Sequence, residues 1–268
     1  MQDFVHLHVH TQYSLLDGQA SVARLVDKAM KNGMKGIAVT DHGNMFGIKE
    51  FINYVNKKNG KVKDELKGLK KQLSELEEST DAIEGKEEKI ASLKEQIEKT
   101  NATFFKPIIG CEMYVARRRL FNREGKQDQL QLHKATAIRA NHEAYGMQLK
   151  VNEKLIEYSK KFNVKLICTN DVHFVDEENA EAHDRLICLS TGKDLDDPKR
   201  MLYSKQEWFK TKAEMNEIFS YIPEALSNTV EICNQVETYS IDHDPIMPTI
   251  AITEEYGTEE VYLNKYTE

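Results

Sequence analysis

A chain of 268 residues, 40% hydrophobic and 30% charged, is long enough for one large or two smaller domains with a buried core. Its formal net charge of −7 at pH 7 argues against a protein that binds nucleic acid mainly through phosphate contacts. No apolar run reaches the roughly 20 residues of a membrane span, and the N-terminus lacks a secretory pattern. The four scattered cysteines form no C-x-x-C pair. We therefore expect a cytoplasmic protein with reduced thiols.

The segment from Phe4 to Gly18 opens with a strict alternation of apolar residues and histidines. The alternating run is Val5, His6, Leu7, His8, Val9 and His10. Because residues two apart in a β-strand point to the same face, the run predicts a strand with three imidazoles on one side. A lone histidine on an apolar face is usually a satisfied core residue. Three at this spacing, followed by Asp17 in a turn, indicate a metal site instead.

The next elements alternate between helix and strand. A stripe of apolar residues from Val22 to Met30 predicts a helix that ends at Gly33. The apolar stretch GIAVT after it has the composition of a buried parallel strand, and it ends directly in Asp41 and His42. A second apolar stripe, from Phe46 to Val55, predicts another helix. This order is typical of βαβ units, and we predict an α/β fold with a parallel sheet.

Residues 57–103 differ in composition, being rich in Lys, Glu and Gln and poor in aromatic residues. Apolar residues recur at spacings of three and four on both sides of the break EESTDAIEG: Leu66, Leu69, Leu73 and Leu76 before it, and Ile90, Leu93 and Ile97 after it. The spacing predicts two antiparallel helices joined by a turn, a coiled-coil-like hairpin inserted into the α/β domain. We favour a solvated spacer over an arm that binds a partner.

The alternation of strand and helix resumes after the hairpin. Lys106 to Gly110 is predicted as a strand that leads into Glu112. The apolar stretch VKLICT, at 164–169, predicts a strand that leads into Asp171 and His173. Helices are predicted over 140–161, 178–189, 212–220 and 225–236. From Ser240 the chain is interrupted by prolines, as in a linker.

Side chains that bind metals follow each of the four predicted strands. They are His8, His10 and Asp17 after the first strand, Asp41 and His42 after the second, Glu112 after the third, and Asp171 and His173 after the fourth. Because the carboxyl ends of parallel strands gather on one side, we expect these residues to converge, whereas His6 lies nearer the other end and is expected to pack in the core. Imidazole and carboxylate without thiolate fit Zn²⁺, Mn²⁺ or Fe²⁺ better than Ca²⁺ or Mg²⁺. So many ligands predict two or more ions, an arrangement suited to phosphoester hydrolysis.

Several stretches resemble the motifs of the polymerase and histidinol phosphatase (PHP) superfamily. They are HLHVHTQYSLLDG, VTDHGNMFG, PIIGCEMYVA and TNDVHF. The stretches AEAHDRLICLSTGK, LDDPKRM and PEALSNTVEICNQVE resemble one branch more closely, the N-terminal PHP domain of bacterial DNA polymerase III alpha subunits. The resemblance covers nearly the whole chain apart from the Lys/Glu-rich hairpin.

The resemblance implies a distorted, TIM-like (β/α)₇ barrel with a metal centre of the phosphoesterase type at its mouth. In this family such a centre supports 3′–5′ exonuclease activity or is purely structural. The ligands implied by the matching motifs are His8, His10, Asp17, His42, Glu112, Asp171 and His173. Asp41 would be a supporting partner or a weaker ligand. The implied partners are DNA, reached through the parent polymerase, and other replicative polymerase subunits.

Two departures from the family pattern bear on function. The interval between the GCE and TNDVH motifs is short and lacks two further family ligands, a His in a Tyr-His-Leu-type strand and a later Cys or His. The sequence jumps near Gln127 to His133, and neither His133 nor His142 has a matching context. An internal block is therefore missing, and the metal centre would be incomplete. The chain also ends before any polymerase palm, so we do not expect it to polymerise DNA by itself.

We predict four segments: a first barrel part at 1–56, the hairpin at 57–103, a second barrel part at 104–238, and an exit linker toward a polymerase domain at 239–268. Three functions are compatible with them. The chain is the PHP domain of a replicative polymerase alpha subunit with metal-dependent phosphodiester hydrolysis, a standalone phosphatase for a small phosphomonoester, or a non-catalytic docking module braced by metal. The exit segment argues against the standalone phosphatase, and the missing ligands favour the docking module.

Overall fold

The computed structural model describes residues 1–79, 85–116, 129–131, 137–139, 145–237 and 239–246. Contacts divide the chain into two units, Met1–Thr238 and Tyr239–Glu268. Three predicted features lie wholly or partly outside the described residues: the hairpin turn at 80–84, the interval that contains His133 and His142, and the linker beyond residue 246.

The first unit contains both helices and short strands. The helices are α1 Val22–Lys31, α2 Ile48–Lys58, α3 Gly60–Glu78, α4 Lys86–Ala102, α5 Tyr145–Phe162, α6 Ala180–Thr191, α7 Lys212–Ile218 and α8 Pro223–Gln235. The strands are β1 Gly36–Val39, β2 Lys106–Ile109, β3 Tyr114–Ala116, β4 Gln129–Gln131, β5 Ala137–Arg139 and β6 Ile167–Thr169. The fold is mixed α/β, as predicted. None of the helices in the described part of the chain is long and apolar enough to cross a membrane.

The strands form three pairs. β1 and β2 are parallel, with Gly36 opposite Lys106 and Val39 opposite Ile109. β5 and β6 are also parallel, whereas β3 and β4 are antiparallel. The strands predicted at GIAVT, at 106–110 and at 164–169 are confirmed as β1, β2 and β6. Among the described residues these pairs do not close into a barrel.

The first predicted strand, here called the first segment (residues 4–10), lies between two backbone neighbours. Its hydrogen bonds run from Ala38 N to His6 O and from Thr40 N to Val9 O, both 2.9 Å, and from His10 N to Val172 O, 2.7 Å. Only Val9, opposite Val172, is a β-bridge. The first segment is therefore not a regular strand as predicted, because its bonds are too unevenly spaced for a ladder, but it joins β1 to the chain that leaves β6.

The two faces of the first segment are buried against different surroundings. Two of its apolar side chains, Val5 and Leu7, pack in a core cluster with Ala38, Ile167, Val230 and Cys233. On the other face, the ring of His6 lies between Phe4 and Phe209, with ring centroids 4.8 and 4.3 Å away. His6 Nε2 hydrogen-bonds the carbonyl oxygen of Lys210 at 2.8 Å, so this nitrogen carries the proton.

α1 follows the predicted amphipathic pattern, because its buried residues Val22, Leu25, Val26 and Ala29 recur three and four apart. The helix ends at Lys31, and Gly33, the predicted end, follows the capping residue Asn32 with a left-handed φ of 65°. Met34 N bonds Ala29 O at 3.1 Å and Gly33 N bonds Met30 O at 2.9 Å, which satisfies the last carbonyls of the helix.

α3 and α4 pack against each other between α2 and β2. Leu66 is buried, and the other apolar residues of the seam are half-buried: Leu69, Leu73, Leu76, Ile90, Leu93 and Ile97. At the base of the two helices, the buried Asn59 side chain bonds both backbone groups of Phe105, with its Nδ2 2.7 Å from the carbonyl oxygen and its Oδ1 3.1 Å from the amide nitrogen. These two hydrogen bonds hold the start of α3 next to the end of α4, and β2 begins directly after Phe105.

We expect the metal-free protein to lose stability as the pH falls from about 6.5 to about 5. Burial lowers the pKa of His6 to about 3 and that of His183 to about 4, so in this range both rings take up a proton only on unfolding. Each ring then removes up to about 1.4 kcal/mol of unfolding free energy per pH unit. The variant His6→Gln keeps a donor for the Lys210 carbonyl oxygen. We expect its unfolding free energy to depend less steeply on pH, by about one proton taken up on unfolding, when it is measured by denaturant titration in the presence of EDTA.

The control for this prediction is His243→Gln, which replaces an exposed histidine of the second unit. Its unfolding free energy should change with pH as steeply as that of the unmodified chain. An equally steep change in His6→Gln would mean that His6 does not take up a proton on unfolding.

Candidate metal centre

The seven residues predicted as ligands lie close together, and we call them the His/carboxylate cluster. His8 and His10 belong to the first segment, Asp17 lies in the turn after it, His42 follows β1, Glu112 follows β2, and Asp171 and His173 follow β6. β-bridges between His42 and Glu112 and between Val9 and Val172 are both parallel. The cluster therefore forms where neighbouring parallel segments end, because their side chains leave the backbone on the same side.

Asp17 is held by a tight loop. Ser14 N donates to Thr11 O at 2.9 Å, and Asp17 N donates to Ser14 O at 3.0 Å. Leu16 has a left-handed φ of 59°. A Cβ at Gly18 would lie only 2.0 Å from Thr11 O, so only glycine allows the loop to close here.

Glu112 and Asp171 both face His8 and His10. Glu112 Oε2 is 2.9 Å from His8 Nε2 and 3.2 Å from His10 Nε2. Asp171 Oδ1 is 3.1 Å from His8 Nε2 and 3.4 Å from His10 Nε2. The two imidazole nitrogens are themselves 3.0 Å apart. Four candidate ligand atoms, two imidazole nitrogens and two carboxylate oxygens, thus lie within one small volume.

A second group lies next to the first and shares His10 with it. The ring of His10 stacks on those of His42 and His173, with centroid distances of 4.1 and 4.4 Å. Ligand nitrogens of these three histidines lie within 4.8 Å of one another. Asp17 Oδ2 is 2.7 Å from His42 Nε2 and 3.2 Å from His173 Nε2. Asp17 thus contributes the carboxylate of this group.

Hydrogen bonds behind His10 determine which ring nitrogen carries the proton. The Ser14 hydroxyl donates its one hydrogen to Asp41 Oδ1 at 2.8 Å, so toward His10 Nδ1, 3.0 Å away, it acts as the acceptor. His10 therefore has its proton on Nδ1 and a lone pair on Nε2. Asp41 is also bonded by the Thr11 amide and hydroxyl groups, which hold it in place. Asp41 thus acts on the cluster through Ser14 rather than directly.

The backbone orients His173 in the same way. Its Nδ1 lies 2.8 Å from the carbonyl oxygen of Asp171, which only accepts, so the neutral ring has its lone pair on Nε2. Lone pairs of His10 and His173 therefore face carboxylate oxygens at 3.2 to 3.4 Å. Such contacts are favourable only if a proton or a cation lies between the two atoms. The donor set therefore fits a divalent metal ion.

The pKa directions follow from the same geometry. Burial opposes the charge of His10, but the hydrogen bonds to Asp171 and Glu112 outweigh it and raise its pKa. Burial likewise opposes the charge of His42, and Asp17 and Glu112 raise its pKa. Burial would raise the pKa of Asp17, but His173 and His42 hold it far below its usual range. In the metal-free protein, protons thus occupy the positions that cations would take.

Part of the cluster is open to solvent. The exposed fraction of the side chain is 25% for His42, 19% for Asp17 and 16% for His8, whereas His10 and His173 are buried. Among the described residues, the more exposed members thus present part of the cluster to solvent.

Sequence reasoning missed three residues next to the cluster. Ser14 lies within the HLHVHTQYSLLDG motif, but only its bonds to His10 and Asp41 reveal its role. Tyr203 donates from its hydroxyl to Asp17 Oδ1 at 2.9 Å, and no sequence pattern links residues so far apart. His183 packs its ring against those of Tyr203 and His173, with centroid distances of 4.8 and 5.6 Å. Its presence in the AEAHDRL stretch was the one available signal.

Curated relatives named DNA polymerase III subunit alpha align with nearly the whole chain. The protein from Borreliella burgdorferi is 31% identical over 301 residues, which cover 98% of this chain and 26% of the relative. Those from Treponema pallidum and Campylobacter jejuni are 29% and 28% identical, and each alignment covers 97% of this chain and 25% of the relative. The chain spans about a quarter of the length of the curated relatives it matches. Because these alignments are longer than the chain, the relatives contain residues that it lacks.

The comparison with protein families gives a single domain type. The PHP domain matches residues 6–233, which is most of the chain. The matched range contains the His/carboxylate cluster together with Ser14, Asp41 and Tyr203. The chain belongs to the PHP domain family.

Proposed function

We propose that this chain is the N-terminal PHP domain of a replicative DNA polymerase alpha subunit, and that its His/carboxylate cluster serves metal-dependent phosphodiester hydrolysis of the 3′–5′ exonuclease type. The observation that carries the proposal is the pair of ligand groups that share His10, with imidazole lone pairs aimed at carboxylates. The name that the aligned relatives share, DNA polymerase III subunit alpha, supports the polymerase context. In this context the partners are DNA, reached through the parent polymerase, and other replicative polymerase subunits, and the location is the cytoplasm.

The ligands of the proposed centre are His8, His10, Asp17, His42, Glu112, Asp171 and His173. Asp41 supports them through Ser14, as outer hydrogen bonds to metal-binding histidines commonly do. Imidazole and carboxylate donors favour Zn²⁺ or Mn²⁺, with Fe²⁺ as a further candidate. Two adjacent groups support two or more ions.

Bound divalent ions would supply Lewis acidity for the phosphate oxygens and activate water near neutral pH. The chain's own residues prepare this chemistry. Ser14 and Asp171 O keep protons on the Nδ1 atoms of His10 and His173, so that both Nε2 atoms face the cluster. The open side at His42 and Asp17 gives a phosphodiester room to approach. The pKa of Glu112, which burial alone would raise, is held far below its usual range by His10 and His8, so it stays an acceptor.

A distorted (β/α)₇ barrel is the architecture that we propose for the first unit. Parallel neighbours support it, since β2 pairs with β1, β1 bonds the first segment, and the first segment bonds the chain that leaves β6. Within it, residues 1–56 and 104–238 would form the two barrel parts and residues 57–103 the inserted hairpin. Residues 239–268 would lead out toward a polymerase domain.

A second candidate is a non-catalytic docking module in which the same cluster braces the fold through bound metal. It is favoured by the short interval between the GCE and TNDVH motifs and by alignments that are longer than the chain. Loss of family ligands would weaken hydrolysis before it abolished metal binding, because seven ligands exceed the needs of one ion.

We expect the chain to bind Zn²⁺ or Mn²⁺ and Asp171→Asn to weaken that binding at least about 10-fold. Asparagine suits the substitution because Asp171 has a left-handed φ of 54°, which asparagine tolerates. Isothermal titration of the EDTA-treated, dialysed protein measures the affinity. Asp27→Asn, which changes a surface aspartate paired with Lys58, is the control and should bind metal normally. If Asp171→Asn and Asp27→Asn bound the metal with equal affinity, Asp171 would not be a metal ligand.

We expect metal binding to strengthen as the pH rises from about 6 to about 8. His10 and His42 have raised pKa values in the metal-free protein, so a metal ion must displace their protons. Titrations in buffers of different ionisation enthalpy would measure the protons released. An affinity that is independent of pH over this range would contradict the assignment of these two histidines as ligands.

We expect the metal-loaded chain to shorten single-stranded DNA from its 3′ end and EDTA to abolish the reaction. Electrophoresis of internally labelled DNA with a free or a blocked 3′ end would follow it, with Asp27→Asn as the active control and Asp171→Asn as the impaired variant. If the chain binds metal and leaves DNA intact, while Asp171→Asn only lowers the unfolding temperature, the docking module is the correct function.

A further inference from the structure

The two oxygens of Asp17 have different partners. Oδ2 faces the cluster, 2.7 Å from His42 Nε2 and 3.2 Å from His173 Nε2. Oδ1 accepts the hydroxyl hydrogen of Tyr203 at 2.9 Å. A free carboxylate would rotate between equivalent orientations, because its two oxygens are chemically the same. Here one oxygen is already bonded to a phenol.

Tyr203 can hold Asp17 because its own position is fixed. The segment after it is bonded to the chain that leaves β6: Glu207 O accepts from His173 N at 2.8 Å, and the Asn170 side chain donates to Gln206 O and Trp208 O at 3.0 and 2.8 Å. The Tyr203 ring is half-buried, and His183 packs against it nearly perpendicularly, with an interplanar angle of 78°. The hydroxyl therefore has little freedom to leave Asp17.

We propose that Tyr203 is a positioning residue that holds Asp17 so that only Oδ2 is presented to the metal centre. The inference rests on the proposed function, since it assigns Asp17 a metal. Removal of the phenol would free Oδ1, and Asp17 would then spend part of its time in orientations that do not meet His42 and His173. The metal affinity falls for that reason, although no ligand has been removed.

A structural role alone would have a different signature. Tyr203 also packs against His173 and His183, so its loss could lower stability without any effect on metal binding. Tyr203→Phe keeps the ring and these contacts and removes only the hydroxyl. The chain offers a matched control, because Tyr54 donates to Asp27 Oδ2 at the same 2.9 Å on an exposed surface. Tyr54→Phe thus removes an equivalent hydrogen bond away from the cluster.

The experiment titrates Mn²⁺ and, separately, Zn²⁺ into the metal-free chain and its variants, and it records thermal unfolding with EDTA and with metal. We expect Tyr203→Phe to bind about 10-fold more weakly, with a smaller metal-induced rise in the unfolding temperature. Its unfolding temperature in EDTA should fall no further than that of Tyr54→Phe, which should bind metal as the unmodified chain does.

A double-mutant cycle separates positioning from other effects. If Tyr203 acts through Asp17, Tyr203→Phe adds nothing to the loss of metal affinity in Asp17→Asn. Additive losses, or normal metal affinity in Tyr203→Phe, would overturn the positioning role and leave the proposed function intact. If the unmodified chain binds neither metal, the proposed function fails, and this inference fails with it.

Discussion

The arrangement of the His/carboxylate cluster depends on the first segment, because this segment is hydrogen-bonded to neighbours on both sides. On one side Ala38 of β1 and Thr40, just after β1, bond it, and on the other the chain that leaves β6 bonds it through Val172. The Thr40 side chain adds a further bond, because its hydroxyl oxygen accepts from Val9 N at 3.0 Å. A shift of one residue would exchange the apolar face with the imidazole face. The register therefore decides whether His8 and His10 meet the carboxylates at all.

A second layer of buried polar groups supports that register. Asp41 is only 1% exposed, yet its carboxylate is bonded by a backbone amide and two hydroxyls from the loop after the first segment. A buried carboxylate without such partners would cost several kcal/mol. The loop satisfies Asp41, and Asp41 in turn fixes Ser14 and the proton on His10. The same bonds thus stabilise the loop and determine the chemistry of the cluster.

Much of the local structure could be predicted from the sequence, because it depends on short-range patterns. The spacing of Val22, Leu25, Val26 and Ala29 predicts α1, and the apolar run GIAVT predicts β1. Alternation at period two placed the imidazoles of the first segment on one face. The end of each strand then indicated which residues would meet, although their role as ligands stays a prediction.

What could not be predicted depends on distant contacts or on backbone detail. The Tyr203 hydroxyl meets a carboxylate 186 residues away, and no periodicity records such a pair. The left-handed conformation of Leu16 is unusual for a leucine, and that of Asp171, although aspartate tolerates it, is not marked by any sequence pattern. The irregular bonding of the first segment likewise follows from its neighbours rather than from its own alternation, which is that of a regular strand.

The separation between Asp17 and Tyr203 also has a consequence for the order of events during synthesis. The chain is made from its N-terminus at about 5–20 residues per second, so roughly 10 to 40 seconds pass between the appearance of these two residues. For most of that time, until Asp171 and Val172 have been made, His8 and His10 lack Asp171 and the first segment lacks its neighbour on the side of β6. The residues of the cluster that are made first thus meet their partners only after the later ones have been made, so the arrangement of the cluster is completed late in synthesis.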